Sequence, residues 1–408
     1  MKTAGVIVEY NPFHNGHAYH LQETKNLTAA DVTIAVMSGS FLQRGEPALV
    51  SKWARTKMAL LGGVDLVVEL PYAFAVQQAS IFANGAISIL EALGVQELCF
   101  GSESGQIEQF LSLVKLRQTH QDAFDAAVRS FMQQGMSYPK ALSEAFAAIQ
   151  GEHAILDMSK PNNILGFHYV QAIVEQGSSI IPRTVPRLSA QYHDETFASA
   201  SIASATSIRK HLTANSLSSA AGVIPPSTLI ELENYYETYG IFHNWERYFP
   251  FLKYKLLTMS PAQLSNIYEV QEGLEHRILS AVKEASSFIS FMEALKTKRY
   301  TWTRLQRLLV HVLTHTTKEE MRVNTPTYIR LLGMSKKGQS YLSAYKKAAS
   351  LPLVANIKSA SHPLLQLDIK AGSVYYSVLP EPLQSMMLKR DFTQHPIRYD
   401  EVAKRFQI

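Results

Sequence analysis

Four short apolar runs near the start of the chain constrain its fold most strongly. They occupy residues 5–8, 32–38, 66–71 and 96–101. The stretches between them, such as residues 79–93, place apolar side chains at helical spacing. Strands that are apolar throughout and alternate with helices form parallel sheets that are covered on both faces. The pattern therefore predicts an α/β fold with a parallel central sheet.

In such a sheet, ligands bind in the crevice beyond the carboxyl ends of the strands. The residues that directly follow each apolar run are therefore the first candidates for a binding site. They are residues 9–17, 38–44, 71–72 and 101–103.

The rest of the chain extends this pattern and then leaves it. A helical pattern at about 106–150 predicts an insertion, and the run 180–186 predicts a further strand. Beyond about residue 215 the alternation fades and the pattern becomes mainly helical. We therefore expect an α/β domain over residues 1–215 that contains the insertion, followed by a mainly helical region over residues 216–408.

Charge is distributed unevenly along the chain. Residues 1–208 contain 13 Lys and Arg against 18 Asp and Glu, whereas residues 209–408 contain 26 against 16. A basic second half favours a polyanionic partner such as nucleic acid, although a basic surface also serves solubility. The basic segments 299–307 and 328–338 interleave aromatic residues, which fits RNA. Amphipathic helices with a solvated basic face are the alternative.

A single cysteine, Cys99, lies in an apolar run, which excludes a disulfide framework and a cysteine-based zinc site. The sequence has no run of about 18 apolar residues, and its start lacks the pattern of a signal peptide. We therefore expect no membrane association and a cytoplasmic location. The oligomeric state stays open.

Two histidines, His14 and His17, flank Gly16 where the first helical pattern begins. At a helix N-terminus, imidazole donors, backbone N–H groups and the helix dipole favour an anion. Gly16 would let that anion approach the backbone closely. A zinc site and a pair of unrelated surface histidines are the alternatives, but no cysteine cluster and no third ligand support zinc.

A second segment, from Ser204 to Arg209, lies nearly 190 residues further on and predicts another helix start. Hydroxyl groups and a guanidinium suit phosphate oxygens, because hydroxyls donate and arginine binds bidentately. Taken alone the segment is a weak signal, since serines commonly cap helices. Ala205 replaces a possible second hydroxyl, which leaves the phosphate role to Thr206 and Arg209.

Together the two segments resemble the HxGH signature and the downstream Ser/Thr-x-x-Arg loop of the HIGH superfamily of nucleotidyltransferases. Further motifs resemble the bacterial tRNA(Met) cytidine acetate ligase family along the whole chain, most densely over residues 1–210. They are Val8–His17, Met37–Phe41, Gln43–Gly45, Gly101–Glu103, Pro161–Leu165 and Arg187. The resemblance implies a HIGH-type, Rossmann-like nucleotidyltransferase fold.

The resemblance also implies an ATP-dependent ligase. Acetate and ATP would form acetyl-adenylate and pyrophosphate, and the acetyl group would pass to N4 of the wobble cytidine of elongator tRNA(Met), releasing AMP. His14, His17, Thr206 and Arg209 would be catalytic, and Mg²⁺ would accompany the triphosphate without a dedicated protein site. The implied ATP-binding residues are Ile7, Val8, Glu9, Tyr10, Asn11, Pro12, Phe13, His14, Asn15, Gly16, His17, Ala18, Tyr19, His20, Gly101, Asn162, Arg187 and Leu188.

Several other residues and functions stay open. Ser38, Arg44, Lys52 and Arg55 are further candidates for the site, whereas Asp65 is interpreted as a turn residue before a strand. A nucleotidyltransferase acting on a small phosphate metabolite would explain the first half equally well but not the basic second half. A non-catalytic tRNA-binding protein with a relic nucleotide pocket is the third interpretation.

Overall fold

The protein folds around one nine-stranded sheet. The computed structural model describes residues 1–150, 155–187, 203–214, 217–271, 273–360 and 362–407. The strands are β1 (Thr3–Val8), β2 (Val32–Ser38), β3 (Leu66–Leu70), β4 (Glu97–Ser102), β5 (Ile181–Pro186), β6 (Ile329–Ser335), β7 (Leu353–Val354), β8 (Ile397–Asp400) and β9 (Arg405–Gln407).

Five parallel strands from the first half form one side of the sheet, in the order β5-β4-β1-β2-β3. All four early apolar runs and the run near residue 180 form strands, which confirms the predicted α/β fold. Every residue of β2 and β3 is buried, as expected of strands that are covered on both faces. The carboxyl ends of β1 and β4 lie side by side, because both strands run in the same direction.

Helices connect and cover these strands, and three of them, α5 to α7, occupy the stretch predicted as a helical insertion. Among the described residues no helix is both long and apolar enough to cross a membrane. The helices are α1 (Asn15–Thr28), α2 (Lys52–Leu61), α3 (Tyr72–Ala75), α4 (Ala79–Ala92), α5 (Ile107–Thr119), α6 (Gln121–Gln133), α7 (Tyr138–Gln150), α8 (Pro161–Glu175), α9 (Ala205–Ala214), α10 (Pro226–Tyr239), α11 (Trp245–Thr258), α12 (Pro261–Ser265), α13 (Leu274–Glu284), α14 (Phe288–Leu295), α15 (Trp302–Thr314), α16 (Lys336–Tyr345), α17 (Pro363–Tyr376) and α18 (Leu383–Thr393).

The second half is mainly helical, as predicted, and it also extends the sheet. Strand β6 pairs antiparallel with β3, β8 pairs parallel with β6, and β9 pairs antiparallel with β8. The helical interpretation of segment 328–338 is wrong for its first part, because β6 is a strand with every residue buried. Arg330 makes this segment resemble a solvated basic face in the sequence. In the structure its guanidinium is buried and pairs with Glu69.

A buried ionic cluster joins the two halves where β3 meets β6. Lys52 Nζ lies 3.2 Å from Oε1 of Glu69 and 3.2 Å from Oδ1 of Asp391. Arg330 Nη1 lies 3.0 Å from Oε2 of Glu69, and its Nη2 lies 3.3 Å from Oδ1 of Asp391. None of the four side chains is more than 7% exposed. Two cations and two anions therefore neutralise one another away from water.

We predict that Glu69→Gln lowers the free energy of unfolding by about 3–5 kcal/mol, because it leaves two buried cations facing one carboxylate. Glu320→Gln is the matched control. Its ion pair with Lys370 should contribute about 1 kcal/mol or less, because the side chain of Lys370 is 31% exposed and that of Glu320 is 38% exposed. Urea unfolding of both variants measures the difference. Equal losses in the two variants would contradict the assigned role of the cluster.

Candidate functional site

The loop after β1 leaves the sheet at the carboxyl end of the strand and enters α1. Tyr10 in this loop has a φ of 47°, a conformation that costs a side-chain-bearing residue about 1–3 kcal/mol and concentrates at functional sites. Its buried ring packs edge-on against Phe13 and His17, with ring centroids 4.8 and 5.0 Å apart. This aromatic packing fixes the turn directly before the helix.

The two predicted histidines lie together at the start of α1. Their rings stack with centroids 3.7 Å apart, and the backbone N–H of His14 donates to Nδ1 of His17 over 3.3 Å. Nδ1 of His17 therefore accepts, so the proton of its neutral ring lies on Nε2. A Cβ atom at position 16 would come 2.9 Å from Cε1 of His14, which explains why Gly16 suits this position.

Burial lowers the pKa of His14 to about 3, and the charges of Arg187 and Arg209 act in the same direction. Burial also lowers the pKa of His20 to about 4, again helped by Arg187. For His17, burial and the neighbouring imidazole of His14 hold the pKa well below its usual value. All three rings are thus neutral at pH 7.

The segment around Arg209 meets the opening loop, although 198 residues separate the contacting positions. Nη1 of Arg209 donates to the carbonyl oxygen of Asn11 over 3.1 Å, and Nη2 lies 2.8 Å from Oε2 of Glu46. Nη2 also lies 3.5 Å from the hydroxyl oxygen of Thr206. The fold therefore places Thr206 and Arg209 beside the turn that carries the two histidines.

A third group approaches the same crevice from the end of β4. A Cβ atom at Gly101 would lie 3.4 Å from Cγ of Arg187 and 3.8 Å from Cδ2 of His20, so these three residues are neighbours. Nη1 of Arg187 lies 3.5 Å from Oδ1 of Asn162. The amide of Asn162 in turn donates to Oε1 of Glu103 over 2.7 Å, which fixes its orientation.

The other residues of the predicted ATP site differ in the segments that they contact or belong to. Asn15 faces a different segment, because its Nδ2 donates to the carbonyl oxygen of Gly222 over 3.1 Å. Leu188 lies outside the described residues. The remaining positions form the end of β1, the loop and the first turns of α1: Ile7, Val8, Pro12, Phe13, Ala18 and Tyr19.

Two of the further candidates are engaged in protein contacts. Arg55 donates from Nη1 to the carbonyl oxygens of Glu9 and Ser38 over 2.8 and 2.9 Å, and so ties the end of β1 to the end of β2. Lys52 belongs to the buried ionic cluster. Asp65 directly precedes β3 and so lies at the amino ends of the strands, away from the crevice at their carboxyl ends. This position agrees with its interpretation as a turn residue.

The loop after β2 makes contacts that the sequence did not indicate. The backbone N–H of Gln43 donates to Oε1 of Glu9 over 2.9 Å, and Glu46 is the ion-pair partner of Arg209. Burial raises the pKa of Glu9, while the Gln43 N–H and the Arg44 guanidinium oppose that shift. Glu46 carried no sequence signal, because only the fold brings it to Arg209.

The second half holds this loop in place. The carbonyl oxygen of Gly45 accepts from the indole N–H of Trp245 over 2.8 Å, and that of Ala48 accepts from the hydroxyl of Tyr375 over 2.8 Å. Gly45 has a φ of 75°, and a Cβ atom there would come 2.2 Å from the backbone nitrogen of Arg307 in α15. The loop that carries Arg44 and Glu46 is therefore fitted against the helices of the second half.

Several buried polar atoms around this crevice have no hydrogen-bond partner among the described residues. They are Tyr10 Oη, Asn11 Nδ2, His14 Nδ1, His20 Nε2 and Ser38 Oγ. Buried polar groups are nearly always paired, so a cluster of unpaired ones at the ends of two adjacent strands suits a polar ligand. Together with the arginines above, these atoms have the chemistry that suits an anionic ligand with several oxygen atoms.

Fold and site together define an α/β nucleotide-binding protein with an anion site at its first helix. Residues 1–391 match the model of the HIGH Nucleotidyl Transferase family. The tRNA(Met) cytidine acetate ligase of Bacillus cytotoxicus is 58% identical over 392 residues, covering 95% of this chain and 100% of that protein. The enzyme of the same name from Bacillus anthracis strain A0248 is 58% identical over 393 residues, with the same coverage.

Solved structures give the same assignment. Thermotoga maritima TmcAL, in its apo form I, superposes with a TM-score of 0.91 at 34% identity and covers 98% of this chain and 100% of its own. The structure of that protein bound with alpha-thio ATP superposes with a TM-score of 0.89 at 33% identity, with the same coverage. The chain belongs to the HIGH nucleotidyl transferase family.

We predict that His14→Asn flattens the acid dependence of stability in the ligand-free protein. The pKa of His14 is about 3 when folded and about 6.5 when unfolded, so the unfolded chain binds more protons between these values. Stability therefore falls as the pH drops below about 6.5, by up to about 1.4 kcal/mol per pH unit for this group. Urea unfolding between about pH 7 and about pH 4.5 measures the slope.

The control for this prediction is His276→Asn, because the side chain of His276 is 72% exposed and stays in contact with water in both states. The His276 variant should keep the slope of the wild-type protein. Equal slopes in the His14 variant and the wild type would show that the His14 ring is not buried as a neutral group.

We predict that Gly45→Ala weakens ATP binding by about tenfold or more, because the added Cβ displaces the loop that carries Arg44 and Glu46. Gly135→Ala is the matched control: Gly135 also has a positive φ of 83°, but a Cβ atom there meets nothing within 4 Å. Both variants bear the same kind of backbone strain, and only the first moves the site. Calorimetric titration with alpha-thio ATP compares them, and equal affinities would contradict the assigned role of the loop.

Proposed function

We propose that this protein is an ATP-dependent ligase that activates acetate as acetyl-adenylate and transfers the acetyl group to N4 of the wobble cytidine of elongator tRNA(Met), forming N4-acetylcytidine. The observation that carries the proposal is the contact of Arg209 with the loop before His14 and His17. This contact brings together two segments that lie far apart in the chain, which supports their proposed joint role in binding phosphate. Relatives that are tRNA(Met) cytidine acetate ligases support the choice of acetate and tRNA(Met).

In the first step, a carboxylate oxygen of acetate attacks the α-phosphorus of ATP, and pyrophosphate leaves with the electrons of the broken P–O bond. The catalytic residues in this proposal are His14, His17, Thr206 and Arg209. Their donors stabilise the negative charge that develops on the phosphate oxygens, and none of them forms a covalent bond to the substrate. A neutral imidazole can take this role, because one of its two ring nitrogens carries a proton and donates a hydrogen bond.

In the second step, N4 of cytidine attacks the acetyl carbon, AMP leaves, and the amine loses a proton. The cytidine amine is a weak nucleophile because its lone pair is delocalised into the ring. The mixed anhydride supplies the driving force that free acetate lacks. The ATP site in this proposal consists of residues 7–20 with Gly101, Asn162, Arg187 and Leu188.

Mg²⁺ is the expected companion of the triphosphate. Within the described residues, no group of three or more His, Cys, Asp or Glu side chains is placed to hold a metal ion. In this proposal phosphate oxygens and water hold the Mg²⁺ ion, and the protein side chains bind the nucleotide. We assign the tRNA to the basic region of residues 216–408, and place the reaction in the cytoplasm, where tRNA and ATP are available.

Incubation of the protein with labelled acetate, ATP and tRNA tests the proposal against its two rivals. Transfer of the acetyl label to tRNA(Met), dependent on ATP, is the expected result. A stable nucleotidylated metabolite without tRNA acetylation would favour the nucleotidyltransferase. A protein that binds tRNA but never releases pyrophosphate would be a non-catalytic binding protein.

We predict that His17→Ala and Arg209→Ala each lower acetate-dependent exchange of pyrophosphate into ATP by about 100-fold or more, because each removes a donor to the transition state. Their affinity for tRNA should stay within about twofold of the wild type. Lys210→Ala is the control beside Arg209, because it removes a neighbouring charge and leaves the guanidinium in place. Loss of tRNA binding equal to the loss of exchange would contradict the division between the two regions.

A further inference from the structure

A groove of about 730 Å³ opens on the part of the sheet that the second half contributes. It lies between α2, α18, the strands β6 and β8, and the final strand β9. Its floor is apolar and includes Leu331 and Met334. Three cationic side chains, those of Lys57, Arg390 and Arg398, also line it. The volume is within the range of sites that hold a nucleotide-sized ligand.

The charge of the groove has one sign. Among the described residues that line it, none is an aspartate or a glutamate. Lys57 has an acidic partner outside the groove, with its Nζ 3.4 Å from Glu231, and Arg390 is bonded to the amide of Gln394 over 2.9 Å. Arg398 is exposed on β8. A polyanion in the groove would therefore meet cations and no opposing carboxylate.

An aromatic ring accompanies these cations. Phe406 of β9 is half-buried beside the groove, and Nζ of Lys57 lies 5.4 Å from its ring centroid. An aromatic face beside cationic groups is the combination that binds unstacked nucleotides, with the base on the ring and the phosphate on the cations. An apolar peptide would use the floor of the groove but would leave the cations without anions.

Two arginines of the basic segments that the sequence indicated are engaged inside the protein. Arg330 is 3% exposed and belongs to the buried ionic cluster. Arg307 is 12% exposed and lies 3.0 Å from Oε1 of Glu269. These two guanidiniums already have acidic partners inside the protein, whereas Arg390 and Arg398 line the groove and Arg398 is exposed.

We propose that this groove binds a nucleotide of the substrate RNA other than the one that is acetylated. The inference rests on the proposed function, because it identifies the RNA with the tRNA substrate. Four strand-to-strand steps separate β1 from β8, a distance of about 19 Å, so a base in the groove cannot also reach His14. The groove therefore holds the tRNA at a second point while another base reacts.

The double variant Arg390→Glu with Arg398→Glu tests this proposal. Its KM for tRNA in the acetylation assay should rise about tenfold or more. The slope of log affinity against log salt should fall by about 1.4, because two fewer phosphates are neutralised on binding. Acetate-dependent pyrophosphate exchange should match the wild type, because the nucleotide site is untouched. Lys389→Glu is the matched control, since Lys389 is exposed next to Arg390 on α18 but does not line the groove.

The variant Phe406→Leu tests the contribution of base stacking to tRNA binding separately from the contribution of charge. Leucine keeps an apolar side chain but loses the aromatic plane, so this variant should raise the KM for tRNA while leaving the salt slope unchanged. The milder pair Arg390→Gln with Arg398→Gln covers the case in which the glutamates impair folding, and thermal unfolding of each variant checks for that. An unchanged KM for tRNA in folded groove variants would overturn the proposal, whether the true occupant is a peptide or none.

Direct binding of tRNA, measured by fluorescence anisotropy, keeps the groove proposal separate from the proposed function. If the wild type binds tRNA but does not acetylate it, the proposed function fails, and weaker binding by the double variant still supports the groove. If the wild type acetylates tRNA and the double variant binds it equally well, the groove proposal fails and the proposed function stands.

Discussion

The guanidinium of Arg209 joins three parts of the chain at the proposed nucleotide site. It donates to the carbonyl oxygen of Asn11 after β1, pairs with Glu46 after β2, and is itself carried by α9. A guanidinium can do this because its five N–H donors lie in one plane and point in several directions. The stacked pair His14 and His17 follows this loop at the start of α1, so the position of the imidazoles depends on the same contact.

The second half of the protein supports the loop beside the proposed nucleotide site as well as the proposed RNA contact. Its side chains Trp245 and Tyr375 donate to carbonyl oxygens of the loop after β2, and the backbone of α15 leaves no room for a Cβ atom at Gly45. Its strand β6 continues the sheet beside β3. A shift of these helices would therefore move Glu46, which is the ion-pair partner of Arg209.

The sequence predicted the parallel sheet well, because strands buried on both faces must be apolar throughout. It also predicted the histidine pair and its distant partner Arg209. It did not predict β6, because an arginine in a buried strand has the same sequence signal as an arginine on a solvated surface. It also missed Glu46 and the loop contacts of Trp245, since polar partners far apart in sequence leave no periodic pattern.

By itself, the sequence determined the order of strands and helices in the first half and the chemical groups available at the first turn. These properties are local, since they follow from periodicity, turn residues and the types of side chain. Only the tertiary structure decided which charges neutralise one another inside the protein and which face a groove. Neighbours from distant segments decide that Arg330 is neutralised and that Arg398 is exposed. The sequence has an arginine at both positions and does not distinguish a buried guanidinium from an exposed one.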